Sequence, residues 1–220
     1  MRYACLVLDH DDTVVQSTPA IHYPSFVEAL QVLRPERAEM TLDEFIGYGF
    51  DPGILPLLRD VLQLNEEEMA IEQRIWRKYT TTALPKPYDG FDRLFARFRA
   101  RGGKICVVSH SERDVILRHY RELFGFDPDQ IFGWELPEEK RKPHPYPLDA
   151  IMREFSLAPS DLLMVDDLKP GMDMARKRQV DFAWAGWSHT GPYVGKIMLE
   201  QAKYCLYSPS ELEQFLEIDD

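Results

Sequence analysis

The stretch YACLVLDHDDT, residues 3–13, is a short apolar run that stops abruptly on charge. Leu6, Val7 and Leu8 form the run, and Asp9, His10, Asp11, Asp12 and Thr13 follow it directly. A continuous apolar run of this kind is the pattern of a strand buried on both faces. Its end gathers three carboxylates within a few ångströms of one another. Like charges crowded beside a buried strand are costly unless a cation or a shared proton relieves them. The strand end is therefore expected to be a site rather than an accident of the surface.

Outward from this run, strands and helices alternate. Strands are expected at 3–8, 104–109, 130–133, 161–165, 181–185 and 204–207, and helices at 91–101, 112–123, 146–156, 170–179 and 209–216. That alternation predicts an α/β fold, a Rossmann-like parallel sheet in a three-layer α/β/α sandwich. A helical block interrupts it after the first strand. Within 16–35, Thr18-Pro19 suits a helix start and Phe26, Leu30 and Leu33 share one face. Thr41 and Glu44 form a capping-box pattern that predicts another short helix. Gly47, Gly49 and the Pro52-Gly53 pair predict a loop, either a plain turn or, with Tyr48 and Phe50, a surface for a small ligand. Two further helices are expected at 54–63 and 66–82, and the Pro-rich segment 83–90 reads as a linker. The expected organisation is a core from 1–15 and 86–220 with an inserted helical cap at 16–85, hinged near 14–17 and 84–89.

Composition narrows the function. The 220 residues carry a formal net charge of −11. This argues against a nucleic-acid partner held through its phosphates. A small phosphorylated substrate stays open, because a metal ion can reverse the local field. Cys5, Cys106 and Cys205 are odd in number and far apart, which predicts neither a disulfide framework nor a zinc site; Cys5 and Cys106 read as core fillers. No apolar run reaches the roughly 18 residues a membrane helix needs. The expectation is a cytoplasmic protein with no signal peptide and no membrane partner, a monomer or weak homodimer.

Ligands of an open parallel sheet gather at the carboxyl ends of its strands. Standing there are Asp9-His10-Asp11, Ser109-His110-Ser111 and Asp166-Asp167, with Lys140-Arg141-Lys142-Pro143 before a later helix. Several carboxylates at one point suit a hard divalent cation, Mg²⁺ first among them. A hydroxyl, backbone N–H groups and a lysine can hold phosphate oxygens. Phosphoryl transfer needs little beyond such positioning and charge neutralisation. One carboxylate can be the nucleophile, and a second two residues on can serve as general acid and base if its neighbours raise its pKa.

With these residues in order along the chain, the sequence resembles the haloacid dehalogenase superfamily. The resemblance is to hydrolases with a helical cap of the C1 type, such as phosphoglycolate phosphatase and β-phosphoglucomutase. The family's D-x-D-x-T motif is matched by Asp9 to Thr13, its strand-end Ser/Thr by Ser109, its lysine by Lys142-Pro143 and its acidic pair by Asp166-Asp167. The resemblance implies Asp9 as nucleophile and metal ligand and Asp11 as general acid/base whose carbonyl also binds the metal. It implies Ser109, His110 and Lys142 as phosphate holders, Asp167 as the principal further metal ligand, and Asp166 as a direct or water-mediated one. Two positions depart from the pattern: Asp12 stands where Gly is commonest, and His10, which could touch the leaving group, stands where an apolar residue is frequent.

The implied activity is Mg²⁺-dependent hydrolysis of a small phosphorylated metabolite through an aspartyl-phosphate. A phosphosugar mutase would share this chemistry. A non-catalytic phospho-receiver or binding protein on the same fold is the alternative from another class. A receiver, however, would carry its acceptor on a later strand and need only about 120 residues. Asp166 and Asp167 can also cap the helix that Pro170 starts. Lys140 and Arg141 read as a solvated basic run. His110 and His144 are not expected to be catalytic. His22, His119 and His189 show no ligand spacing, and Trp184 and Trp187 read as packing aromatics.

Overall fold

The computed structural model describes residues 1–189 and 191–218. The chain forms two compact units, one of residues 1–15 and 87–220 and one of residues 16–86. The first unit opens with β1 (Cys5–Leu8), the fully buried apolar run, and the chain leaves it at β2 (Val15–Gln16).

The second unit is helical. Five residues in wide, π-type turns, Thr18–His22, lead into α1 (Tyr23–Leu33). Thus Thr18 opens the wide turn and is not the cap of the helix itself. The Thr41–Glu44 capping box starts α2 (Leu42–Phe50), with the Thr41 hydroxyl accepting from the Glu44 N–H. The loop expected at Gly47 and Gly49 is absent: both lie inside α2, and the chain turns only at Asp51. The capping box and the apolar residues Phe45 and Phe50 outweigh the poor helix propensity of two glycines, roughly 1 kcal/mol each. The helix expected at 54–63 is a single turn, α3 (Ile54–Pro56), continued by wide turns at Leu57–Val61. An Asn65–Glu68 capping box then starts α4 (Glu66–Thr82). Phe26, Leu30, Met40, Leu57, Leu58, Leu62 and Leu64 form this unit's own apolar core.

The chain returns at β3 (Lys86–Pro87), which pairs with β2. It continues through α5 (Phe91–Ala100), β4 (Lys104–Val108), α6 (Arg113–Phe124), β5 (Gln130–Phe132) and α7 (Tyr146–Phe155). Then follow β6 (Leu162–Asp166), α8 (Lys169–Arg176), β7 (Asp181–Ala185), α9 (Pro192–Gln201), β8 (Tyr204–Leu206) and α10 (Pro209–Phe215). Among the described α-helices of this unit, α9 is the one that periodicity did not predict. Six strands build one sheet in the order β5-β4-β1-β6-β7-β8, with parallel neighbours throughout. This is the expected Rossmann-like α/β architecture.

Strand residues alternate between the two faces. Leu6, Leu8, Ile105, Val107, Leu163 and Val165 share one core cluster with Phe91, Phe95 and Phe98 of α5, Ile116 and Tyr120 of α6 and Leu212 of α10. The intervening residues, among them Cys5, Cys106, Met164 and Trp184, are buried on the opposite side, where α8 packs on β6 and β7. Both faces are thus covered, as an all-parallel sheet requires. From β1 the chain proceeds outward to β4 and β5, then crosses back to β6 on the other flank of β1. The direction of winding therefore reverses between β1 and β6, which leaves a crevice at their carboxyl ends. No helix among the described residues is long and apolar enough to cross a membrane.

Candidate active site

Strand β1 delivers Asp9 to that crevice, and the Asp9 N–H still donates to Val165 O at 2.9 Å, extending the ladder by one residue. The chain then curls tightly. Val14 and Val15 N–H both donate to His10 O at 2.9 and 3.1 Å, and Asp12 N–H donates to Val15 O at 2.7 Å. Asp12 takes a left-handed backbone with φ 53°. That explains why glycine suits the position, and aspartate is among the few other residues that tolerate it.

Asp9 is buried, as are Asp166 and Asp167 at the end of β6. One carboxylate oxygen from each lies within 4.8 Å of the others. The Lys142 ammonium sits 2.8 Å from Asp9 Oδ1 and donates to Asp166 Oδ2 at 2.8 Å. Burial, with Asp166, Asp167 and Asp11 adding to it, pushes the Asp9 carboxyl well above the usual carboxylate range despite Lys142. Burial likewise raises Asp166 to about 6, opposed by Lys142 and helped by Asp167. For Lys142 the balance reverses: burial alone would lower it, but Asp166 and Asp9 together hold it above the ordinary lysine value. Asp166 Oδ1 also accepts from Leu168 N–H at 2.8 Å. Gly171 makes room for this carboxylate, since a Cβ there would collide with it.

The end of β4 supplies the hydroxyls. Ser109 Oγ and Ser111 Oγ both donate to Asp11 Oδ2, at 3.2 and 2.6 Å. Ser111 is a contact that the sequence did not single out. His110 turns its ring to the lysine loop, where Nε2–H donates to Lys142 O at 2.9 Å. Burial, reinforced by Lys142, lowers the His110 pKa to about 4, so the ring is neutral near pH 7. The ring therefore ties the serine loop to the lysine loop and offers no positive charge to an anion.

Asp167 is gripped on three sides. Its Oδ1 accepts from Thr13 Oγ1 at 3.0 Å, its Oδ2 lies 2.8 Å from His189 Nε2, and its main-chain carbonyl accepts from Trp184 Nε1 at 3.1 Å. Trp187 Nε1 in turn donates to Thr13 O at 3.0 Å. The two tryptophans thus do more than pack: each fixes the backbone of a motif residue. His189 had no local signal at all, because its partner lies far upstream. Asp167 outweighs the effect of burial and raises the His189 pKa.

His10 does not face a leaving group. It is fully buried, its Nε2 is 2.9 Å from His119 Nδ1, and it packs on the Tyr120 ring. Arg118 Nη2 lies 3.0 Å from His119 Nε2. An arginine can only donate, so His119 Nε2 accepts, His119 Nδ1 carries the proton, and His10 Nε2 accepts it. Burial of the ring beside α6 decides the orientation of His10, and no sequence spacing shows that.

The triad Asp9, Asp166 and Asp167 suits a divalent metal. The Lys142 ammonium meets two of the three buried carboxylates, Asp9 and Asp166, and oxygens of all three lie close enough to share one hard cation. The Asp11 carboxylate is directed instead to Ser109 and Ser111.

Comparison with known proteins agrees with this geometry. Residues 6–185 match the family model of haloacid dehalogenase-like hydrolases. A phosphoglycolate phosphatase of Thiobacillus denitrificans is 24% identical over 169 residues, 74% of each chain. A phosphoglycolate phosphatase of Nitrosococcus oceani is 26% identical over 178 residues, 78% of each chain. Among solved structures, a haloacid dehalogenase-like family hydrolase from Streptococcus pneumoniae shares the fold with a TM-score of 0.76 at 16% identity, covering 97% of this chain and 98% of its own. The chain belongs to the haloacid dehalogenase-like hydrolases and is a hydrolase by that membership.

Proposed function

We propose that the protein is a Mg²⁺-dependent phosphatase that hydrolyses a small phosphorylated metabolite through a phosphorylated Asp9. The observation that carries this reading is the buried Asp9 carboxylate at the winding reversal, 2.8 Å from Lys142 and within 4.8 Å of Asp166 and Asp167. In this reading Asp9, Asp166 and Asp167 hold the ion with the Asp11 carbonyl. Bound there, Mg²⁺ supplies charge neutralisation for the phosphate and for the carboxylates around it.

An Asp9 carboxylate oxygen attacks phosphorus, and the bond from phosphorus to the ester oxygen breaks. Protonated Asp11 gives its proton to the departing alkoxide. The resulting Asp11 carboxylate then takes a proton from water, whose oxygen attacks phosphorus. The Asp9–phosphorus linkage breaks and inorganic phosphate leaves. Ser109 Oγ, the main-chain N–H of His110 and the Lys142 ammonium hold the phosphate oxygens. A hydroxyl has one proton to donate, so a phosphate that takes Ser109 leaves Asp11 on Ser111 alone. Substrate binding thereby loosens the acid it is about to need. The helical unit serves as the cap that selects the substrate. The −11 charge is consistent with the absence of a nucleic-acid partner.

Phosphoglycolate, the substrate in the names of both relatives, is the first compound to test. Phosphate release from it and from p-nitrophenyl phosphate is measured with Mg²⁺ and with EDTA, for the wild type and Asp9→Asn. The expected result is release by the wild type with Mg²⁺ only. Release by Asp9→Asn at the wild-type rate overturns the reading.

A further inference from the structure

We propose that His189 is a positioning residue for the metal ligand Asp167, its ring N–H fixing which carboxylate oxygen is turned toward the ion. The inference rests on the proposed metal site and extends it to a residue beyond the family's four motifs.

The contacts are specific. Asp167 has two carboxylate oxygens, and each has a dedicated side-chain neighbour: Thr13 Oγ1 at 3.0 Å on Oδ1 and His189 Nε2 at 2.8 Å on Oδ2. With the carbonyl tied to Trp184, neither the backbone nor the carboxylate plane of Asp167 is left to rotate. Thr13, Asp167 and His189 are all buried, so water does not compete freely for these bonds. The same His189 nitrogen lies 3.9 Å from Asp12 Oδ2. One ligand atom each of Asp12, Asp167 and His189 lies within 4.8 Å of the others, so the ring N–H that meets Asp167 also faces a second buried carboxylate. Groups that hydrogen-bond to a metal ligand are worth about 10–100-fold in metal affinity.

A rival account makes His189 a mere neighbouring charge, and the two accounts differ in sign. If the imidazole acts on the ion only through positive charge, deleting it tightens binding of a divalent cation. If it positions Asp167, deleting it weakens binding. The experiment is Mn²⁺ binding to the metal-free full chain, followed by the electron paramagnetic resonance of free Mn²⁺ and by Mg²⁺ competition. The proteins compared are the wild type, His189→Phe, which keeps the ring and loses the donor, and His189→Gln, whose amide N–H reaches to about the place of Nε2. Melting temperatures of the metal-free proteins run alongside.

The expected result is one Mn²⁺ per wild-type chain, an affinity loss of about 10–100-fold in His189→Phe, and recovery of most of it in His189→Gln at similar melting temperatures. Unchanged or tighter binding by His189→Phe overturns the inference, and so does an equal loss in both variants. Two Mn²⁺ per wild-type chain also overturns it, because His189 would then be a ligand with Asp12 and Asp167. A wild type that binds no Mn²⁺ fails the underlying metal assignment instead, and that failure is visible before any variant is compared.

Discussion

In the sheet unit, Asp9, Asp166 and Asp167 are buried side by side; in the helical unit, the ion pairs of Arg34 with Glu68 and of Lys78 with Glu28 keep contact with solvent. The helical pairs use charge in the ordinary way. Glu68 completes the Asn65 capping box and accepts from both terminal guanidinium nitrogens of Arg34, at 2.5 and 3.0 Å. Such exposed pairs cost little to form and little to lose. The sheet unit instead concentrates like charge where it is hardest to solvate. Burial there drives Asp9 and Asp166 upward, and Lys142 offsets only part of it. Expensive charge collects at the winding reversal of the sheet, and cheap charge is spread over the helices. The contrast marks the place where the proposed chemistry would be done.

Substitutions can break that contrast, the largest effect coming from Asp9. Asp9→Asn is expected to lower kcat on p-nitrophenyl phosphate by at least about 10⁴-fold, in line with loss of a nucleophile. The metal-free variant should melt no lower than the wild type, because one crowded carboxylate has gone. Steady-state rates and a thermal melt check both halves. Asp11→Asn is expected to cost about 10²–10⁴-fold on an alkyl phosphate, the usual worth of general acid–base catalysis. The cost should be smaller on an aryl ester, whose leaving group needs no proton. Equal losses on the two substrates would remove Asp11 from the acid's role.

In the helical unit, Glu72 shares with the sheet's acids a carboxyl raised by burial. Half-buried Glu72 lines a small cavity with Phe26, Leu30, Arg34, Leu58, Leu62 and Leu64, and burial raises its pKa to about 7. A carboxyl raised in the folded state is neutral below its unfolded value, so it carries no penalty there. The penalty grows as pH rises from about 4.5 and is complete above about 7, where a shift of that size corresponds to up to about 3 kcal/mol. Glu72→Gln should therefore raise stability above neutral pH and have almost no effect near pH 4. Chemical denaturation at both pH values tests this. A gain independent of pH would show that packing, not ionisation, is at issue.

The smallest expected effect concerns His10 and His119. Their 2.9 Å contact predicts a coupling of about 1 kcal/mol in a double-mutant cycle with His10→Leu and His119→Leu. Additive effects would mean that the two rings pack without a hydrogen bond.

Much of this was legible in the residues. The apolar run at Leu6–Leu8 is a buried strand, and its neighbours in the sheet are apolar runs too, because a strand covered on both faces has no polar side. The start of α2 was legible in its capping box, but Gly47 and Gly49 hid its second half, and α9, which begins after Gly191, carried no periodic signal that was read. Yet Pro192 occupies the first helical turn, where the missing N–H costs nothing. Glycine and proline signals depend on position within an element, and that position is not local information.

From its sequence alone the chain determined that a buried strand ends in crowded carboxylates, that a hydroxyl and a lysine stand at later breaks in the pattern, and that strands and helices alternate around them. These follow from side-chain chemistry and short-range periodicity, which neighbouring residues carry. Tertiary structure alone decided that Ser111 holds Asp11, that His110 tethers the Lys142 loop, that His10 turns inward to His119 and that His189 meets Asp167. Each of these is a hydrogen bond between segments distant in sequence or, for Ser111 and Asp11, between two strand ends. Such a bond reaches only about 3 Å, so its existence depends on where the whole sheet places the loop ends.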